Sequence, residues 1–301
     1  MPARCYVGTS SWAEKALIDS GRFYPPELKD TPARLAYYAE RFELAEIDST
    51  YYALPSRKNI ERWAAAVPDG FRFSVKAFSL FTQHPTRLAS IPKSFHEALP
   101  PEVQKKARVY EKDVPEEVTA ELWRIFCGAL RPMREAGKLG AVLIDFPPWY
   151  VPSKANRAYI ARAREQLAGD RVIVEFRNRL WVADDETAAS TFAMLRELDC
   201  GFVCVDEPPG LESSFPPIVA VSGPIAAVRF RGRNAARWED KNATTEERFN
   251  WRYTGAELSE WLPRIEQLAA EADEVYLCFN TKAEDQSVVN AALLKKLLGL
   301  P

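Results

Sequence analysis

Histidine is nearly absent from this 301-residue chain; the two present, His84 and His96, fall in one segment. Two imidazoles on one loop cannot build a multi-histidine zinc site. The sequence also lacks a GxSxG elbow and a Ser-His-Asp ordering, which removes the usual hydrolase triad. Cysteine is sparse: Cys5, Cys127, Cys200, Cys204 and Cys278 are odd in number and form no CxxC pair. A disulfide framework and a cysteine-rich zinc site are therefore not expected, and small buried hydrophobes in a reducing compartment are the favoured reading. There is no basic excess either, with 40 Lys and Arg against 42 Asp and Glu and a net charge of −2. Broad, charge-driven nucleic-acid binding is disfavoured, although a local basic groove is not. No apolar run approaches the ~20 residues that span a bilayer. The first residues, MPARCYVGTS, enter a strand-like run without the apolar core of a signal peptide, so a cytoplasmic protein is expected.

What is present is regular. Short β-rich runs alternate with amphipathic, helix-length segments along the whole chain, and 47% hydrophobic residues suffice for one large core. Strands are predicted at 5–10, 45–49, 72–78, 141–146, 172–177, 201–207, 226–232 and 274–280. Thr31 with Pro32 reads as a helix start, Thr254 with Glu257 as a capping box, and Gly169 and Gly299 as helix stops. Strict alternation implies a parallel sheet, and eight strands close a barrel. An open doubly wound sheet is second choice, because no GxGxxG or GxxxxGK[ST] follows the first strand. The expected fold is α/β, a single (βα)8 barrel over residues 1–301, with a long inserted loop after the third strand at about 79–115. That loop is rich in proline, holds both histidines and is expected to act as a lid.

Strand parity locates a candidate site. In a barrel, alternate side chains face helices or lumen. Val174 and Phe176 form one face of the fifth strand; Ile173, Glu175 and Arg177 form the other. The same division sets Ala227, Arg229 and Arg231 apart on the seventh strand and Tyr276, Cys278 and Asn280 apart on the eighth. The lumen-facing polar set is then Ser10, Glu46, Asp48, Lys76, Asp145, Glu175, Arg177, Asp206, Arg229, Arg231 and Asn280, gathered at the strand ends where such barrels carry their sites. Glu175, Lys76 and Asp206 are the candidate proton-moving residues. Lys76 would serve as proton donor or, if desolvated, as Schiff-base amine. Arg177, Arg229 and Arg231 are candidate clamps for a carboxylate or phosphate. Glu175→Gln is expected to lower turnover rather than stability. Carboxylates alone could hold Mg²⁺, but neither a metal nor a cofactor is expected. A lumenal ion-pair network that only satisfies buried charges is the competing reading. The loops 208–224 and 233–253 share the same rim, the second with Arg233, Arg237, Trp238, Arg248, Trp251 and Arg252.

These strand ends also carry a resemblance. GTSSW (8–12), FYP (23–25), EIDSTYYALPS (46–56), FSVKAF (73–78), DFPP (145–148), VEFRNRLW (174–181), VRFRGRN (228–234), ELSEW (257–261), FN (279–280) and VVNA (288–291) follow one another in order along the chain. Together they resemble the domain of unknown function 72 family (YecE-like), and the resemblance implies a TIM barrel without fixing a reaction. Four positions depart from the family pattern. Ser11 stands where glycine is usual, Asp145 where glutamine is common, Arg231 in place of histidine, and Thr281 in place of a second asparagine. The loss of that histidine weakens any mechanism needing imidazole there and adds a positive charge to the mouth. The leading expectation is an enzyme acting on a small anionic ligand, such as a phosphorylated sugar or nucleotide-like compound. The alternatives are a nucleic-acid-binding or processing barrel, for which salt-dependent oligonucleotide binding is the discriminating observation, and a non-catalytic barrel with a partner-binding rim.

Overall fold

A computed structural model of the chain describes residues 3–301. The strands are β1 (Arg4–Thr9), β2 (Leu44–Ile47), β3 (Arg72–Lys76), β4 (Thr86–Arg87), β5 (Arg108–Val109), β6 (Leu139–Asp145), β7 (Val172–Glu175), β8 (Cys200–Asp206), β9 (Ile225–Phe230) and β10 (Glu274–Phe279). Eight of them close a barrel in the order β1-β10-β9-β8-β7-β6-β3-β2, every pairing parallel. Closure is made by β1 against β10, in register from Arg4 opposite Glu274 to Thr9 opposite Phe279. The eight predicted strands are these eight, within two residues at most ends.

Several return helices start where the sequence supplies an acceptor for their free N–H groups, among them those capped by Ser56, Ser153, Asp184 and Thr254. Thr254 and Glu257 form the expected capping box, an arrangement that stabilises a helix start by about 1 kcal/mol. At the first long helix, Thr31–Ala39, the cap lies one residue earlier than predicted. Asp30 accepts from the Ala33 N–H at 2.9 Å, and its carboxylate takes the place assigned to the Thr31 hydroxyl. Helices pack on the outward faces of the strands. Phe230 meets Trp261 at 5.3 Å between centroids, and Phe202 meets Phe192 at 5.0 Å.

The N-terminal end of the lumen is closed by a polar floor. Glu274 accepts from Arg72 Nη2 at 3.0 Å, Arg171 Nη1 at 2.8 Å and the Tyr276 hydroxyl at 2.7 Å. Tyr6 lies edge-on to Tyr276 at 5.5 Å and donates to the same carboxylate.

The segment after β3 is ordered where an irregular loop is predicted. It opens with a 3₁₀ turn at Ser79–Thr82 and contains the antiparallel β4–β5 pair. Phe81 stacks on Trp123 at 3.7 Å, and the Tyr159 hydroxyl donates to Phe81 O at 2.8 Å. Isolated 3₁₀ turns and two-residue strands carry no hydrophobic period, so nothing in the sequence announces them. Among the described residues, no helix is long and apolar enough to cross a membrane.

Candidate functional site

Parity places Glu46 on β2, Lys76 on β3, Asp145 on β6, Glu175 on β7, Arg229 on β9 and Arg177 and Arg231 just beyond their strands, all converging at the C-terminal end of the barrel. The left-handed turn at Gly232 (φ 91°) follows Arg231. A Cβ there would lie 2.5 Å from Trp251 Cβ, so only glycine lets the backbone pass.

The charges form a chain across the lumen. Arg229 donates Nη2 to Glu46 and Nη1 to Glu175, both at 2.6 Å. Arg231 donates Nη2 to the other Glu175 oxygen, and its Nη1 lies 3.3 Å from Glu207 without hydrogen-bond alignment. Lys76 Nζ sits 2.7 Å from Asp145 and over the Tyr51 ring at 4.6 Å. Glu175 is fully buried with both oxygens occupied, which makes it a keystone between two arginines rather than a group facing a ligand. Asp145 differs. Its Oδ2 faces Lys76, while Oδ1 is buried with no partner among the described residues. Burial alone would raise the Asp145 carboxyl, but the combined charges of Lys76, Arg231, Arg177 and Arg229 hold it well below the usual carboxylate range. Burial raises Glu46 and Glu207 despite Arg229 and Arg231 beside them.

Arg177 contrasts with its neighbours. It is half-buried and lines a cleft of about 640 Å³ with Asn178, Glu207, Trp238 and Arg248. Its guanidinium makes no hydrogen bond or ion pair among the described residues, and burial followed by the charge of Arg231 pushes it below its ordinary pKa. A second cleft, of about 970 Å³, opens on the β1–β2 side with Trp12, Glu14, Glu46, Asp48 and Lys282 on its walls.

The remaining predicted residues are placed differently. Ser10 donates to Asn280 at 2.7 Å, so these two satisfy each other. Asp48 lies 3.4 Å from Lys282 at the second cleft. Asp206, predicted to face the lumen, turns towards the helices. It accepts from Tyr253 at 2.7 Å, Trp261 at 2.5 Å and Arg233 at 2.7 Å, and so serves to dock the helix layer. The lumen position belongs to the next residue, Glu207, which parity reasoning missed. Along β8 both faces are apolar and buried, so alternation is silent about which of two adjacent carboxylates points inward. Of the six aromatic and basic residues named on the loop after β9, Trp238 and Arg248 line the Arg177 cleft. Arg233 pairs with Asp206, Arg237 with Asp240 and Arg252 with Asp285. Among the described residues, no group of three or more His, Cys, Asp or Glu side chains is placed to hold a metal ion.

An eight-stranded parallel barrel with a charged C-terminal mouth defines the class of protein as a (βα)8 barrel. The family model described as "Protein of unknown function DUF72" matches residues 6–301, and the chain belongs to that family. It is 27% identical over 299 residues to the UPF0759 protein YunF of Bacillus subtilis (strain 168), covering 98% of this chain and 95% of that one. Among solved structures, a DUF72 family protein from Thermotoga maritima MSB8 is 28% identical with a TM-score of 0.75, covering 98% of this chain and 99% of that one. One from Enterococcus faecalis V583 is 25% identical with a TM-score of 0.77, covering 99% and 96%.

Proposed function

We propose that the mouth binds a small ligand through an anionic group on Arg177 and acts on it with Lys76 as proton donor. The observation that carries this reading is the lone Arg177 guanidinium. Set near Asp145, Glu207 and Glu175 but hydrogen-bonded to none of them, it keeps its N–H fork free, and an incoming phosphate or carboxylate would take that fork in charge-assisted hydrogen bonds. Arg229 and Arg231, by contrast, are already engaged with Glu46 and Glu175. The Lys76 ion pair with Asp145 fixes its N–H donors at the mouth and leaves no free amine to attack a carbonyl. The exposed Trp149 on the loop after β6, next to the cleft-lining Pro148, offers a flat face to a planar part of the same ligand. That favours a nucleotide-like compound over a bare sugar phosphate.

The test is thermal unfolding with inorganic phosphate, sugar phosphates and nucleoside monophosphates. A ligand at a hundred times its Kd stabilises by about 2.7 kcal/mol, which raises the Tm by roughly 5 °C in a chain of this size. The rise should vanish in Arg177→Met. An anion that stabilises Arg177→Met as strongly as the wild type would overturn the reading.

A further inference from the structure

Beside Lys76 and Asp145 stands a group to which no role has been given. His84 is 9% exposed, edge-on to Tyr51 at 5.2 Å and to Trp149 at 5.9 Å between ring centroids. The segment delivering it is firmly set. The 3₁₀ turn at Ser79–Thr82 ends in Gln83 with φ 61°, a left-handed conformation that reverses the chain, and the His84 N–H returns to Ser79 O at 3.1 Å.

The ring's hydrogen-bond partner is Thr82, whose hydroxyl also reaches Ser79 O. Thr82 Oγ1 is placed to donate its single proton to Ser79 O at 3.1 Å. With that proton on Ser79 O, it presents a lone pair to His84 Nδ1, 2.9 Å away, and the ring proton belongs on Nδ1. Nε2 then carries the free lone pair and has no partner among the described residues. The other histidine is arranged the opposite way, with its Nε2 placed to donate to Ile91 O at 2.9 Å.

We propose that His84 Nε2 is the proton acceptor of the mouth, taking a proton from a hydroxyl of the ligand held on Arg177, and that this anion itself makes the imidazole basic enough to do so. The inference rests on Arg177 as the anion anchor. In the transfer the ligand O–H bond breaks, its electron pair stays on oxygen, and the proton forms the second N–H of an imidazolium. The charged and titratable groups facing the ring are Tyr51 from the turn after β2, Lys76 from β3, Asp145 from β6 and Arg177 from β7. Burial above all, joined by the charges of Lys76 and Arg177 and opposed by Asp145, lowers the imidazole to about 4. At neutral pH the empty site thus holds a neutral but weak base. An anion on Arg177 cancels one of the two opposing cations and adds a negative neighbour, so basicity rises only when the site is filled.

With only two histidines, ¹⁵N NMR of the imidazoles reads this directly, and His96 is an internal control. Sulfate is the probe, because its charge is constant across the titration. Without sulfate, His84 should show the Nδ1–H tautomer, and Thr82→Val, which removes the lone pair but keeps the shape, should release it to a mixture. Saturating sulfate should raise the His84 pKa by about one unit, so that protonation at pH 5 grows from about a tenth to about half. His96 should not respond. An Nε2–H tautomer in the wild type overturns the proposal. Sulfate that raises the Tm without moving His84 overturns it while leaving the Arg177 anchor intact. Sulfate that leaves the Tm unchanged overturns the anchor and this proposal together.

Discussion

The two ends of one lumen solve the same electrostatic problem in opposite ways. At the floor a single carboxylate, Glu274, receives two arginines and two tyrosines, and among the described residues the cluster has no buried polar atom without a partner. At the mouth, the carboxylates Glu46, Asp145, Glu175 and Glu207 meet Lys76, Arg177, Arg229 and Arg231. Yet Asp145 Oδ1, Arg229 Nε, and Arg231 Nε and Nη1 are left unsatisfied. Equal numbers of charges do not give equal satisfaction. Buried polar groups are ordinarily paired, and those left unpaired at one end of a closed barrel mark the end that meets a ligand. The floor is built for stability and the mouth holds charge in reserve.

That contrast can be broken by substitution, and the largest effect is expected at Glu175. Because it joins two buried arginines, Glu175→Gln should destabilise the fold by about 3–5 kcal/mol, seen in the denaturant midpoint. The loss expected in turnover thus becomes a loss in stability, since the structure leaves this carboxylate no free oxygen. A variant with a wild-type midpoint would break the keystone argument.

The floor comes next. Glu274→Gln should cost about 3 kcal/mol at pH 7. Burial raises the Glu274 carboxyl, but hydrogen bonds from Arg72 and Tyr276 and the charge of Arg171 hold it below its ordinary value. A carboxylate whose folded pKa lies below its unfolded one contributes stability above the unfolded value, about 4.3, and loses it as pH falls through the folded value. The stability gap between wild type and Glu274→Gln should therefore be full at pH 7 and close below about pH 4.3. A gap that widens in acid would contradict the geometry.

A matched pair of substitutions then sharpens the comparison. Arg72→Met at the floor removes a satisfied cation and should cost about 2 kcal/mol, whereas Arg177→Met removes an unsatisfied one and should leave ligand-free stability unchanged or raise it by about 1 kcal/mol. Similar losses in both variants would mean that Arg177 has a partner in solution. The smallest loss should come from Tyr276→Phe, which deletes one of several donors to Glu274 and should cost about 1 kcal/mol in thermal unfolding.

Much of this was legible in the residue order. Period-two alternation in 172–177 and 226–232 was enough to put Glu175, Arg177, Arg229 and Arg231 on one face, because apolar partners occupied the other. The same rule failed at Asp206 and Glu207, where neighbouring positions were apolar on both faces. It also could not say that Arg229 and Arg231 would be consumed by carboxylates while Arg177 stayed free. Which side chains meet depends on distances across the lumen, between positions as far apart in sequence as Glu46 and Arg229. His84 was visible on the loop after β3 but could not be tied to the site, because its neighbours Tyr51 and Trp149 come from the turn after β2 and the loop after β6.

The span of the Arg229 bridges has a consequence for how the chain is made. Glu46 and Glu175 leave the ribosome well before Arg229 and Arg231, which lie 183 and 56 residues beyond the carboxylates they bind. Until β9 emerges, a nascent half-barrel would have to hide those two carboxylates without the cations that neutralise them. Ring closure is thereby tied to the last quarter of translation, and a truncated chain ending before residue 229 is left with a solvated, unclosed sheet.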